Sequence, residues 1–230
     1  MCGRYVIEDY QELSERLSQV PFRYDFELPP NWNAAPTQTL PVVVEEDDAW
    51  VVKGMHWGLI PKWTKPGQRP KVMPINARSE TVAEKPMFKP LISQRRCLVP
   101  ANGFYEWQQR AGGGGKQPWF IHPKDHDLFL FAGLWDEANA GPDGEPIQSF
   151  TILTTDANAD VSALHDRMPV ALDDDVMPDW LDREETEVEP LVHLLSPAPD
   201  GSVEMHEVSR AVNSPQNNTP ELVAPLDGEE

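Results

Sequence analysis

The chain has 230 residues, 40% of them hydrophobic and including eight Trp and eight Phe, enough for one large domain or two small ones with a proper apolar core. No run approaches the ~20 apolar residues of a membrane span, and MCGRYVIEDY has neither the basic start nor the apolar stretch of a signal peptide, so a cytoplasmic protein is expected. The formal net charge of −19 argues at first sight against a nucleic-acid partner.

The first five letters, MCGRY, place a cysteine at position 2. An initiator methionine is commonly trimmed when the next residue is small, which would leave Cys2 with an α-amine and a thiol on one carbon. Both titrate near neutrality, the amine at about 7.7 to 8.0 and the thiol at about 8.5. Such a 1,2-aminothiol captures aldehydes: the amine forms a Schiff base and the thiol closes a five-membered ring. The plainer reading is that a small residue here serves Met removal and nothing more.

EDYQELSERLSQ carries Tyr10, Leu13 and Leu17 at helical spacing and is expected to form a short amphipathic helix. LPVVVEEDDAWVVKGMHWG reads as two strands across an acidic turn. IPKWTKPGQRPKVMPINAR fits neither periodicity, and a loop this long inside a compact domain is functional or disordered; its tryptophan and the apolar PIN motif argue against disorder. The charge is uneven here: from Lys53 to Arg96 ten Lys and Arg stand against Glu80 and Glu84, a local +8 that leaves −27 for the rest. A basic segment in an acidic body is either an electrostatic footprint for nucleic acid or a solvated charged face.

A helix is expected around Ser79 to Lys85, followed by the strand-like runs RRCLVP, GFYEWQQ, QPWFIHP, DLFLFAGLWD and QSFTILTT. AGGGGK and AGPDGEP mark connections between them. Cys97, inside RRCLVP, reads as an inert core thiol, and with only two cysteines in the chain a disulfide framework is not expected. Helical patterns return at ANADVSALH and DVMPDWL, and the stretch after Ser214 reads as a loose polar tail. No fixed-period repeat or linker divides the chain. The fold class expected from these elements is a single mixed α and β domain with a substantial antiparallel sheet or barrel.

Three side chains stand out as candidates for chemistry. In NGFYEWQQ, strand alternation puts Phe104, Glu106 and Gln108 on one face and Tyr105 and Trp107 on the other, so Glu106 is either a solvent-facing strand residue or an acid suited to proton transfer. His165, in ALHDRMPV, is a structural hydrogen-bonding residue or a general acid beside a carboxylate. Asn76, in PINARSE, serves a turn or orients either backbone or a substrate oxygen. Of six histidines only His122 and His126 are closely spaced, and there is no HExxH or second Cys pair, so neither a metal nor a cofactor is expected.

MCGRY, NAAPTQ, WGLIPKW, INARSET, MFKP, RRCLVPANGFYEW, QPWFI and LHDRMPV, in that order over roughly residues 2 to 213, resemble the SRAP family, the SOS-response-associated peptidase or abasic-site-processing proteins. The resemblance implies an α+β fold, a single domain over residues 2–213 with an antiparallel β-barrel-like core and peripheral helices followed by an acidic tail over 214–230, together with a groove for single-stranded DNA and covalent trapping of abasic sites as a thiazolidine on the N-terminal cysteine. Carried over by motif, Cys2 is the nucleophile, Asn76 holds the opened sugar, Glu106 moves protons and His165 assists ring opening and reversal. Arg4, Arg78 and Arg167 match phosphate-contacting arginines, and Pro36, Trp63 and Trp107 match residues that stack on or wedge between bases. The expected partner is single-stranded DNA containing an abasic site, met by a monomer. One departure falls at Pro86, where relatives carry Arg. Two other classes remain open: a thiol peptidase using Cys2 with His165 as base, its plainest form removing Met1, and a non-catalytic single-strand-binding module.

Overall fold

The computed structural model describes residues 2–8, 10–27, 29–110, 113 and 115–226. The apolar triplet Tyr5–Ile7 forms β1, and the amphipathic segment forms α1 (Gln11–Leu17), whose Leu13 and Leu17, four residues apart, share the buried face. After β2 (Phe22–Tyr24) and β3 (Asn31–Ala34) comes the expected hairpin of β4 (Thr39–Glu46) and β5 (Ala49–Trp57). Asp47 and Asp48 turn it with φ of 52° and 58°, the double positive-φ geometry whose twist matches the flanking strands and which aspartate tolerates.

The irregular loop ends in β6 (Asn76–Arg78), which runs into α2 (Ser79–Val82) and then α3 (Lys89–Ile92). The helix expected over 79–85 is one turn long: Pro86 disfavours helical backbone at the residue before it, and Lys85 N–H makes a last bond to the Thr81 carbonyl at 3.1 Å. β7 (Arg96–Ala101), β8 (Gly103–Gln109), β9 (Lys116–Pro123), β10 (Phe129–Ala138) and β11 (Ile147–Asp156) follow where strand-like runs were expected. The helical pattern at 157–165 gives only a 3-10 turn, Val161–Ala163. Asn158 is the reason: its side chain accepts from Val161 N–H at 3.0 Å and donates to the Pro199 carbonyl at 3.1 Å, replacing helical bonds with tertiary ones. β12 (Arg167–Pro169), α4 (Met177–Leu181), α5 (Val188–His193) and β13 (Val203–Glu207) follow, and two 3-10 turns, Arg210–Asn213 and Pro220–Val223, complete the described elements.

Strands β4, β5, β11, β10 and β7 close into a five-strand barrel: four seams are antiparallel, while β5 and β11 join in parallel through Ser149 opposite His56 and Phe150 opposite Trp57. Past the end of that seam, β6 and β12 flank the last residues of β11 on its two sides. A second sheet, in the order β13-β9-β8-β1-β3, packs one face on the barrel. Tyr5 meets Trp57 edge-on at 5.1 Å, and Trp57 stacks on Phe150 at 6.3 Å, so the two sheets share one core. The fold is thus the expected single α+β domain with a barrel core.

The other face of the second sheet carries Val6, Tyr105 and Phe120, and residues 208–226 cover it with Val208, Val212 and Leu222. The loose tail expected after Ser214 is therefore a docked segment through residue 226. Trp32 N–H bonds Asn218 Oδ1 at 2.7 Å, Leu226 N–H bonds the Glu207 carbonyl at 2.9 Å, and burying Leu222 contributes about 1.5 to 3 kcal/mol. Residues 227–230 lie outside the described ones. Among the described residues, no helix is long and apolar enough to cross a membrane.

Candidate active site

Cys2 precedes β1 and is fully buried in the main core. Its carbonyl accepts from Asn76 Nδ2 at 2.8 Å, and its thiol donates weakly to the Arg4 carbonyl at 3.7 Å. Burial above all, and then the Glu106 carboxylate, push the thiol well above the ordinary cysteine range, so it stays protonated at neutral pH.

Glu106 reaches Cys2 through strand pairing. Tyr5 opposes Phe104, and Tyr105 N–H bonds the Arg4 carbonyl at 3.0 Å, so β8 runs alongside the N-terminal segment. Alternation then turns Phe104 and Glu106 toward the main core while Tyr105 and Trp107 join the second cluster, as expected. At 4% exposure Glu106 is not a solvent-facing strand residue.

Asn76 opens β6, opposite Ile152 of β11, rather than serving a turn. With one end of its amide on the Cys2 carbonyl, its Oδ1 is buried and has no hydrogen-bond partner among the described residues. An amide held this way fixes the position of residue 2 and presents an acceptor beside it.

The same end of β11 gathers three further candidates, Arg78, His165 and Arg167. Thr154 opposes Arg78 on one side, and Asp156 opposes Arg167 on the other. His165 sits at the turn into β12, with Nδ1 at 3.0 Å from Arg167 N and 2.7 Å from Asp166 Oδ1. Gln108, two residues past Glu106, donates to the Ala163 carbonyl at 3.3 Å and ties β8 to this turn. Arg167 is only 6% exposed. Its guanidinium forks onto Glu80 at 2.6 and 2.9 Å and also bonds Asp156 Oδ1 at 2.7 Å and the Thr154 carbonyl at 2.6 Å. Those contacts hold the Glu80 carboxyl below its usual range and raise the arginine further.

Arg4 is half-buried, its Nη1 donating to Asn33 Oδ1 at 2.8 Å and to the Val212 carbonyl at 3.0 Å. Arg78 is exposed, Pro36 is half-buried in the turn between β3 and β4, and Trp63 is 58% exposed. Trp107 packs on the second cluster with its Nε1 bonded to Asn213 Oδ1 at 2.7 Å. The loop carrying Trp63 is anchored by Ile60 N–H to Ser149 Oγ at 2.7 Å and Lys62 N–H to Asp136 Oδ2 at 2.8 Å. The basic segment is smaller than its sequence count. Lys53 pairs with Glu46 at 2.7 Å, Arg95 lies over the Trp135 ring at 4.2 Å, and Arg96 is buried on the carbonyls of Ile92, Trp180, Asp182 and Glu185. Lys62, Lys65, Arg69, Lys71, Arg78, Lys85 and Lys89 are exposed.

Sequence reasoning missed Asn33, Glu80 and Asp156. Asn33 is fully buried and bridges Arg4 to the carbonyls of Val212, Ser214 and Asn217. A polar residue between Trp32 and Ala34 in a strand was its one signal. Glu80 and Asp156 acquire meaning only through Arg167, which lies far from Glu80 in sequence.

The chain matches the family model described as SOS response associated peptidase (SRAP) over residues 1–215. It is 40% identical over 225 residues to the abasic site processing protein YoqW of Bacillus subtilis, covering 97% of this chain and 99% of that one. The abasic site processing protein HMCES of Gallus gallus is 36% identical over 267 residues, covering 99% of this chain and 78% of that one. A crystal structure of a protein from Bacteroides thetaiotaomicron superposes with a TM-score of 0.82 at 25% identity, covering 97% of this chain and 99% of that one.

Proposed function

The chain belongs to the SRAP family, and from that membership and the residues around Cys2 we propose that it captures abasic sites in single-stranded DNA as a thiazolidine on Cys2. Its named relatives are abasic site processing proteins, which places it in abasic-site DNA repair. The observation that carries the covalent reading is the convergence of Asn76 and Glu106, from two separate strands, on residue 2.

Once Met1 is removed, the Cys2 amine has its lone pair free. The anomeric hydroxyl of the closed sugar gives its proton to Glu106, the C1′–O4′ bond breaks, and O4′ takes up a proton, leaving an aldehyde. The amine attacks C1′ and one of its protons passes to the oxygen to give a carbinolamine, whose hydroxyl leaves as water with the remaining nitrogen proton, relayed by Glu106, to give a neutral imine. The thiol sulfur then adds to the imine carbon and its proton passes to the nitrogen. Aldehyde and aminothiol thus become thiazolidine and one water. A protonated thiol suits this order, because the amine acts first and sulfur closes the ring from a few ångströms away at a very high effective concentration. Asn76 Oδ1 is the acceptor for a sugar hydroxyl, and His165 assists ring opening. Arg4 and Arg78 hold phosphates and the exposed Trp63 stacks on a base, with Pro36 and Trp107 bordering the strand; Arg167 reaches a phosphate only by exchanging Glu80 or Asp156.

The same thiol weighs against the peptidase reading, since a cysteine nucleophile needs a lowered pKa and burial raises this one. Intact-mass spectrometry of the Met-less protein, before and after incubation with a single-stranded oligonucleotide bearing one abasic site, tests the proposal. The expected product is protein plus oligonucleotide less one water, stable to heating. Folded, Met-less protein that keeps its own mass overturns it.

A further inference from the structure

We propose that Glu80 is a positioning residue for His165: acting through Arg167, it fixes the neutral imidazole as the tautomer with its proton on Nε2. The inference deepens the reading of His165 as the residue that assists sugar opening, and it rests on that reading for its functional meaning.

Nδ1 of His165 has two neighbours that make opposite demands. Arg167 N–H, at 3.0 Å, always carries a hydrogen and needs a lone pair on Nδ1. Asp166 Oδ1, at 2.7 Å, needs a hydrogen on Nδ1. One nitrogen cannot serve both. Asp166 is 83% exposed and free to turn toward water, and the imidazole is 32% exposed, so this pair is screened and contributes little. The Arg167 N–H belongs to a buried residue at the start of a strand and would be left unpaired if Nδ1 became protonated. The Arg167 bond therefore wins, provided the backbone at 166 and 167 cannot move.

Two attachments hold that backbone. Ala157 N–H bonds the Asp166 carbonyl at 3.0 Å, and the Arg167 side chain is clamped by both oxygens of Glu80, which is carried on α2. A forked guanidinium–carboxylate pair fixes orientation as well as distance. Asp156 and the Thr154 carbonyl complete the clamp from β11, but Glu80 supplies the two-point contact.

With Nδ1 occupied, neutral His165 offers Nε2–H and has no free lone pair. Its part is then that of a hydrogen-bond donor to O4′ as the C1′–O4′ bond breaks. Glu106 carries the proton that leaves the anomeric hydroxyl and, through solvent, returns it to O4′. His165 stabilises the developing negative charge without itself changing protonation.

The test reads the tautomer directly, in DNA-free protein, by long-range 1H–15N correlation of the imidazole nitrogens at neutral pH, with His165 assigned by comparison with His165→Gln. Wild type is expected to show a protonated Nε2 and an unprotonated Nδ1, and Asp166→Asn to leave that pattern unchanged. Glu80→Gln is expected to shift both nitrogens toward intermediate values and to slow single-turnover crosslinking about tenfold, while Asp166→Asn crosslinks at the wild-type rate. A protonated Nδ1 in wild type overturns the proposal without reference to any variant. A wild-type imidazole pattern in folded Glu80→Gln also overturns it. Because the imidazole spectrum needs no DNA, failure of abasic-site capture shows separately, as an absent crosslink in wild type.

Discussion

Replacing Asn76 with Ala separates the positioning of Cys2 from the chemistry that Cys2 carries. The amide reaches from β6 to a carbonyl 74 positions earlier in the chain, at 2.8 Å, and that carbonyl belongs to a fully buried residue. Its loss removes one hydrogen bond and leaves a buried acceptor unpaired, a cost of about 1 to 3 kcal/mol. At roughly 2 to 4 °C per kcal/mol for a chain of this length, the melting temperature should fall by about 2 to 12 °C, which a thermal melt of the variant reads separately from its rate. The rate suffers more than the fold: a displacement of about 1 Å at the reacting atoms costs about 100-fold, or ~2.7 kcal/mol of activation energy. Single-turnover crosslinking to an abasic oligonucleotide should slow by that factor, while anisotropy on an intact strand shows unchanged binding. Asn76→Asp should be equally slow despite its matched shape, because an ionised carboxylate cannot donate to the Cys2 carbonyl. Crosslinking by Asn76→Ala within about threefold of wild type would refute the positioning role.

Cys2→Ser keeps the amine after Met removal but not the sulfur, so it should form a borohydride-trappable Schiff base and no adduct that survives heating; a heat-stable, unreduced adduct would remove the thiol from the product. Trp63→Ala should weaken binding to an unpaired strand by about 1 to 3 kcal/mol, roughly 5- to 150-fold, and leave the crosslinking rate at saturating protein unchanged; equal affinities by anisotropy would take Trp63 out of the interface. Glu80 is the acid-side prediction. Arg167 hydrogen bonds hold its carboxyl below the ordinary range, so its contribution is complete above the unfolded value of about 4.3 and disappears as pH falls through the lower folded value. Because its side chain is 44% exposed the effect is small, about 0 to 1 kcal/mol, and urea melts from neutral to acid pH should show a shallower acid limb for Glu80→Gln; superimposable limbs would contradict the linkage.

What the sequence made legible was local. Alternation along NGFYEWQQ assigned the two faces of β8 correctly, and the acidic EEDD turn marked the β4–β5 hairpin, because both depend on backbone periods a few residues long. Motif resemblance placed Cys2, Asn76 and Glu106 in one group before any geometry was known. Pairings across long separations were not legible. Asn33 joins Arg4 to carbonyls 179 to 184 positions away, and Arg167 finds Glu80 87 positions away, so neither partner leaves a pattern in its own neighbourhood. The segment after Ser214 misled for the same reason: its polarity is real, but Leu222 enters a cluster with Val6, Tyr105 and Phe120 on β1, β8 and β9. The pattern at 157–165 failed because a single asparagine offered the backbone tertiary partners that competed with helix.

Charge is where the two scales of the molecule disagree. The chain carries −19 in total, yet the surface from Lys62 to Lys89 exposes seven cations, and Arg167 neutralises Glu80 within that stretch. Distance decides which field a DNA strand meets. At physiological salt the screening length is about 8 Å, so the acidic body acts weakly on an approaching strand while phosphates at hydrogen-bond distance from lysine are screened little. At low salt the screening length grows to about 30 Å, and the whole negative charge opposes encounter. Raising salt from that limit should first speed association, the reverse of a uniformly basic DNA binder, whereas dissociation should quicken with salt throughout as phosphate contacts weaken. Stopped-flow mixing with a fluorescent single strand resolves the two rates. An association rate that falls steadily from the lowest salt upward would mean that the basic loop dominates even the long-range field, and that the acidic body plays no part in recognition.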